Sequence, residues 1–567
     1  MVILTELKNE FFDKIQGKQI VILVAAGIDS VCTFNIVRHI FMKNEVQFSY
    51  SFLKDKSNLK ETFEKYGKIE NVLLINCGAS FDVIEYFDIS EDDHRVIYIL
   101  DSQRPINVNN FYNFTQVKIL TFQEQFDYVP VFEEIFDDGD ELEDSDSNDD
   151  DSRHPAKRTK FDKKYLENKI CQREWRKTRE EIMDCYERFS FHGTSTSLVV
   201  YHLCALIHQT TFELLWSAIV GQTSQFILNL ITRETYCNFA DLLHYYLTQL
   251  VAEKNDFERN RFAGINIKST DELTLWLYRH WSLKEAVYCS PVTLIHFQLY
   301  KICDLRLREF LVYMGIPYTQ FEEKFSCTKL ALRNEMVSLF KSHYQRFNIL
   351  KEDLFLPSFV GNCGFNEELS ATDMTFILAA VLDTKKPEDK EEFSEKFMKA
   401  VNILSINNPN RIDEGLQLAK EYIQTLNKFT KSILQSGNIT VCGTFILVAV
   451  SKIEPQVLSA PFMQYISSRY ILEALCSKRP KLGKLRTTKS LPLVIYSENK
   501  IDNYLTLYGI PPLKSDKSRN PFSQIFEDSL VSIESRIRQD FFDICKVKIA
   551  ATDSSKIFQT IRRFLSE

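Results

Sequence analysis

Two aspartates, Asp29 and Asp101, each stand just beyond an apolar run, and carboxylates so placed are the raw material of metal-assisted phosphoester chemistry. Asp29 ends Gly27-Ile-Asp29 after the run 20–25, and Asp101 opens Asp101-Ser-Gln-Arg-Pro105 after the run 95–100. A third run, 71–75, leads into Asn76-Cys-Gly78, and a fourth, 214–220, into Gly-Gln-Thr-Ser224. Holding two divalent cations about 3.5–4 Å apart on a phosphodiester takes several carboxylates and usually histidine, converging from different strand ends. Gly27, Asn76, Ser102, Gln103 and Ser224 carry no charge and cannot supply that field. Asp82 and His94 could complete a rearranged set, but His94 precedes its run and belongs at the opposite end of a sheet. Phe191-His-Gly-Thr-Ser-Thr-Ser-Leu198 offers a different chemistry. Its glycine and hydroxyls ahead of the apolar run 198–207 read as a helix N-terminus whose N–H groups could receive phosphate. His192, beside that turn, reads as structural.

These residues need a scaffold. Apolar runs at 20–25, 47–53, 71–75, 95–100 and 117–121 alternate with amphipathic stretches at 31–42 and 59–66. That rhythm predicts an α/β fold with a doubly wound, mostly parallel sheet, whose sites lie at the strands' carboxyl ends. Amphipathic periods at 239–251, 273–280, 293–302 and 305–314 make 231–400 an almost wholly helical inter-domain, with Gly315-Ile-Pro317 as a stop. Trp276, Tyr278 and Trp281 in this part have the spacing of core residues. Strands at 437–451, 491–497 and 504–510, then a loop and a helix at 521–542, make 401–567 a second α/β domain, leaving 1–230 as the first.

The net charge of −8 is concentrated in one place. Between Asp137 and Asp151 lie ten acids and no base, and without them the remainder carries +2. Bulk charge therefore argues neither for nor against nucleic acid. The tract, about 137–152, reads as a disordered loop in which Ser145 and Ser147 suit an acidophilic kinase. Lys157, Arg158 and Lys160 follow as a nuclear-import candidate, leading into a long charged helix at about 160–189. On that helix Arg173, Arg176, Lys177 and Arg179 are weak candidates for DNA contact, since Glu174, Glu180 and Glu181 lie among them. Thirteen cysteines without a Cys-x-x-Cys pair read as reduced core residues. No run is long enough to span a membrane, and the N-terminus lacks a signal peptide's pattern, so an intracellular protein is expected. No Gly-x-x-x-x-Gly-Lys loop is present for an ATP-driven motor.

The order and spacing of the strand-end segments resemble the DHH phosphoesterase family, whose strands end in Asp-x-Asp, Asp and Asp-His-His before a later apolar run closes with another Asp. On that resemblance the ligand positions are Gly27, Asp29, Asn76, Asp101, Ser102, Gln103 and Ser224, and only Asp29 and Asp101 keep a carboxylate. The Gly-Gly-Gly-His segment that the family uses to hold substrate is also missing. The implied fold is a DHH-type, RecJ-like sheet, a helical inter-domain and a C-terminal DHHA1-like α/β domain. A narrower resemblance rests on Leu74-Ile-Asn-Cys-Gly-Ala79, Asp101-Ser-Gln-Arg-Pro-Ile-Asn107, Phe191-His-Gly-Thr-Ser195, Arg279-His-Trp-Ser-Leu283 and Tyr508-Gly-Ile-Pro-Pro512. In this order they are similar, end to end, to the eukaryotic cell division cycle protein 45 family.

What that resemblance implies is a non-catalytic subunit of the replicative DNA helicase with no cofactor. It would join the minichromosome maintenance hexamer and the GINS complex and meet replisome polymerase and origin-loading factors, in the nucleus and on chromatin during S phase. Members also bind single-stranded DNA; no membrane partner is implied. The alternative is an active, metal-dependent DHH phosphoesterase or exonuclease acting on single-stranded nucleic acid. On the first reading Asp29 caps the helix at 31–42 or bonds within an emptied cleft. Asp29→Asn should then cost little in replication, whereas a charge placed within Ile22 to Val24 should unfold the domain.

Overall fold

A computed structural model describes residues 3–4, 6–67, 69–122, 129–136, 155–253, 267–299, 305–347, 349–363, 367–384, 392–405, 409–436, 438–450, 460–477, 491–499, 503–513, 519–533 and 541–566. The acidic tract with Ser145 and Ser147 lies outside these residues, as do the side chains of Lys157, Arg158 and Lys160.

The N-terminal sheet is built from β1 (Ile3–Leu4), β2 (Gln19–Ala25), β3 (Gln47–Leu53), β4 (Asn71–Ile75), β5 (Val96–Leu100) and β7 (Val117–Leu120). Its order is β1-β7-β5-β4-β2-β3, and every pairing is parallel. The expected α/β class with a doubly wound parallel sheet is therefore what the chain adopts. β2 shows why its sequence has no polar alternation. Ile20, Ile22 and Val24 join one apolar core while Val21, Leu23 and Ala25 join another, so both faces are covered. The helix after β2, α1 (Ile28–Lys43), shares the first core with α3 (Thr196–Leu206) and α4 (Phe212–Ile227). Between them in the chain come a two-residue pair, β6 (Gln103–Arg104) with β8 (Phe191–His192), and α2 (Pro155–Glu187).

From 231 to 400 the structure corrects the helical expectation. α5 (Arg233–Glu253), α6 (Leu305–Met314), α7 (Ala371–Asp383) and α8 (Phe393–Leu404) are present, but β9 (Ile267–Leu273), β10 (Phe355–Cys363) and β11 (Glu367–Ser370) form an antiparallel sheet of order β11-β10-β9. β9 reads Ile-Lys-Ser-Thr-Asp-Glu-Leu and exposes its middle, so it has no apolar rhythm and is held by pairing to a strand far along the chain. The helix expected at 273–280 is instead the end of β9 and a turn in which Leu277 takes φ +52°. That turn is pinned by Trp276 N–H to Ser290 Oγ (2.8 Å) and Leu277 N–H to Asp373 Oδ1 (3.2 Å). Trp276, Tyr278 and Trp281 are core residues, as their spacing suggests. α6 matches its expected bounds, and Gly315 beyond it takes φ +69°.

The C-terminal part contains α9 (Pro409–Ser436), β12 (Ile439–Val441), β13 (Ile446–Val450), α10 (Pro461–Ser477), β14 (Leu493–Asn499), β15 (Tyr504–Ile510), α11 (Phe522–Ile533), β16 (Lys546–Ala550) and α12 (Ser554–Phe564). The sheet runs β12-β13-β14-β15-β16, parallel only between β13 and β14. The single strand expected at 437–451 is a hairpin turning at Gly443, φ +90°. Ile446, Val448, Leu493, Ile495 and Tyr508 belong to the same buried cluster as Ile20 and Phe34, so the first and last α/β parts share a core through the middle. Cys32, Cys77, Cys204, Cys289 and Cys545 are buried thiols, as expected of core cysteines, but Cys237, Cys442 and Cys476 are half-buried and Cys185 and Cys327 exposed, so the core reading holds only for the first five. Among the described residues no helix is long and apolar enough to cross a membrane.

α2 is long, as expected, and its charged middle is solvated: Arg173, Glu174, Arg176 and Lys177 are exposed. Its last turns are tied down by Arg179 Nε–H to Ile135 O (2.9 Å) and Tyr186 O–H to Ile106 O (2.6 Å). Beside these ties Glu187 is pushed up to about 7 by burial, then by the carboxylates of Glu527, Asp184 and Asp528. An unfolded glutamate titrates near 4.3. Glu187 therefore supports the fold below about pH 4.5, and that support is lost as pH rises to and through about 7. Glu187→Gln should raise the urea midpoint at pH 8 by an amount worth about 1 kcal/mol, discounted for partial exposure, and leave it unchanged at pH 4. Equal shifts at both pH values would exclude a titration effect.

Candidate functional site

The three polar strand ends meet at the carboxyl edge of the parallel sheet. Chain reversal after β2 puts Gly27 at the cap of α1 and Asp29 in its first turn. Of the two roles expected for Asp29, it does not cap its own helix but bonds across the cleft. Its side chain crosses to α3: Oδ2 accepts from Thr196 N–H (2.8 Å) and Thr196 Oγ1–H (2.8 Å), and Oδ1 from Ser197 N–H (3.2 Å). Both groups are buried, and Ser195 caps the same helix end. The helix N-terminus read as a phosphate receptor is thus already filled by an anion of the same chain. Burial, then the Asp29 charge beside it, pushes the Cys32 thiol well up.

Asn76 links this pair to the third strand end. Its Nδ2–H groups donate to Ser30 Oγ (3.0 Å) and Thr196 Oγ1 (3.1 Å), while Oδ1 accepts from Ser102 N–H (3.2 Å). Its backbone stands at φ +53°, a region that asparagine enters more readily than most residues, so an amide here also suits the turn. Asp101 is committed in the same way as Asp29. Oδ2 accepts from Gly78 N–H and Ala79 N–H (both 3.1 Å), and Oδ1 from Gln103 N–H (2.9 Å). Gln103 then pairs through its backbone with His192. Burial lowers the basicity of His192, with Asp543 and Asp101 acting against that.

Asp29, Asn76, Asp101, Ser102 and Gln103 therefore form one network, and Thr196 and Ser197 complete it. Ser224 makes its hydrogen bond back along its own helix, to Gly221 O (2.6 Å). The α4 residue that faces Asp29 is Gly221, where an added Cβ would lie 2.6 Å from Asp29 Oδ1 and 2.1 Å from Ser197 Oγ. Asp82 caps the short helix Val83–Tyr86 through Ile84 N–H and Glu85 N–H, and takes Asn109 Nδ2–H. His94 stands before β5, a strand's length from Asp101. Of the DNA-contact candidates, Lys177 lies 3.8 Å from Glu181 and Arg179 holds Ile135 O.

The donor set does not fit a pair of divalent cations. An ionised carboxylate has about four acceptor directions, and Asp29 and Asp101 each give three to N–H or O–H groups whose positive ends would repel a metal. Among the described residues no group of three or more His, Cys, Asp or Glu side chains is arranged to hold one. In an Asp29→Asn variant the new amide would point N–H groups at N–H groups, so that change should cost more than the sequence alone suggests.

A family model described as CDC45 matches residues 20–144 and 133–563. The chain belongs to the CDC45 family. The human cell division control protein 45 homolog is 28% identical over 99% of this chain and 100% of its own length, and the mouse homolog is 29% identical over the same shares. The crystal structure of CDC45 from Entamoeba histolytica covers 100% of both chains with a TM-score of 0.70 at 18% identity, which shows a shared fold. Manganese-bound RecJ from Thermus thermophilus matches more loosely, with a TM-score of 0.43 over 99% of this chain and 54% of that one. Membership of the CDC45 family supports a role in DNA replication and the cell cycle.

Proposed function

We propose that this CDC45-family chain is a non-catalytic subunit of the replicative helicase, binding the minichromosome maintenance ring and GINS to activate origins and support unwinding. The observation that carries the non-catalytic part is the commitment of Asp29 and Asp101 to protein donors. A hydrolytic site needs those carboxylates free for cations; here they hold secondary-structure elements together. Nuclear, chromatin-bound residence in S phase and contact with polymerase and loading factors follow from the same reading.

Two measurements test it. Tagged full-length chain should recover ring and GINS subunits in stoichiometric amount from S-phase extract, and bind single-stranded DNA weakly alone. Strong binding alone with a steep salt slope and no such recovery would identify a free-standing DNA-binding factor instead. Purified chain with Mn²⁺ should not shorten single-stranded DNA; turnover lost in Asp29→Ala would overturn the non-catalytic reading.

A further inference from the structure

The turn that leads into β5 carries a serine with no part in the network at the strand ends. Ser90-Glu-Asp-Asp93 puts an acid at each of the three positions after Ser90, alone among the described serines. Ser90, Glu91 and Asp92 are exposed, as is Asp88 before them, and the Ser90 hydroxyl makes no hydrogen bond among the described residues. Three other described serines have an acid three residues on, and the fold commits each of them. Ser282 and Ser370 are buried caps that accept from the N–H of Glu285 and of Asp373, and Ser269 lies within β9, paired with β10. The Ser90 turn is held lightly. One backbone bond closes it, Asp93 N–H to Ser90 O (3.1 Å), and the Gln116 side chain donates to Ser90 O (2.9 Å) and Asp93 O (2.8 Å). Asp93 itself accepts from Arg95 Nε–H (2.6 Å), which holds its carboxyl below the usual carboxylate range against the effect of burial.

We propose that Ser90 is a phosphorylation site for an acidophilic protein kinase, with ATP as the donor. Such an enzyme reads carboxylates downstream of the hydroxyl through its own basic side chains, and Glu91 and Asp92 stand in solvent to be read. The turn must open to lie along the enzyme, and so few bonds close it that opening costs little. Ser90 Oγ attacks the γ-phosphorus of ATP; the new O–P bond forms as the bond to the β,γ-bridging oxygen breaks, ADP leaves, and the hydroxyl proton passes to the kinase's catalytic carboxylate. The phosphate brings a charge of about −1.5 to −2 beside Asp88, Glu91 and Asp92, so repulsion should keep the turn from closing again.

The test incubates full-length protein with casein kinase II and ATP and follows each site by mass spectrometry. Ser90 should be phosphorylated, and Glu91→Lys combined with Asp92→Lys should slow that site roughly 10-fold, the effect of losing one charge-assisted contact with the enzyme. After phosphorylation, amide exchange in 90–95 should quicken, and Ser90→Ala protein treated identically should not change there. No phosphate on Ser90 from enzyme that phosphorylates casein in the same buffer, or a Ser90 rate indifferent to the charge reversal, overturns the assignment; unchanged exchange at full Ser90 occupancy overturns the loosening of the turn.

Discussion

Asp29→Ala is expected to destabilise the N-terminal part by about 3–5 kcal/mol, the range for removing one partner of a buried charged interaction. The variant leaves Thr196 N–H, Thr196 Oγ1–H and Ser197 N–H without their acceptor in a buried place, and removes the anion at the start of α3. A missing metal ligand would behave differently. Losing it would abolish cation binding and leave stability unchanged or improved, because carboxylates gathered for a metal repel one another without it. The urea midpoint and amide exchange across 196–206 separate the two: a lowered midpoint with α3 losing protection is expected, and an unchanged midpoint would show that Asp29 does not hold α3. Asp29→Asn should fall between, since one oxygen still accepts while the amide N–H groups oppose a donor.

Ile22→Lys should prevent folding altogether. Ile22 is fully buried at the centre of β2, which pairs with both β3 and β4 and sends this side chain into the core shared with α1. An unpaired ammonium there costs several kcal/mol after relaxation, and the lost isoleucine adds about 2–5 more. Together these approach a typical domain stability of about 5–15 kcal/mol. The expected result is insoluble protein, or soluble protein without protease-resistant fragments and with lost near-ultraviolet dichroism. A soluble, protease-resistant Ile22→Lys protein would mean that β2 is not buried on both faces.

The inner strands β2, β4 and β5 of the parallel sheet were legible because they are buried on both faces, and burial writes itself into sequence as unbroken apolar runs; the edge strand β3, Gln-Phe-Ser-Tyr-Ser-Phe-Leu, is largely exposed and showed instead as alternation. β9 and the turn at 273–280 were not, because what fixes them is pairing with β10 and hydrogen bonds to Ser290 and Asp373, partners no local pattern announces. β16 and α12 escaped for a related reason: β16 is Lys-Val-Lys-Ile-Ala, too short and too cationic to stand out.

At the site, the sequence by itself determined the charge inventory. Two carboxylates among glycine, amide and hydroxyl groups cannot meet the demand of two hard cations, whatever the fold. It also showed that 193–198 would begin a helix with free N–H groups. Only the tertiary structure decided that these two readings concern one object, because the anion that fills the helix end lies 167 residues earlier, on Asp29. Hydrogen bonds act over about 3 Å, and separation along the chain says nothing about which donor will arrive.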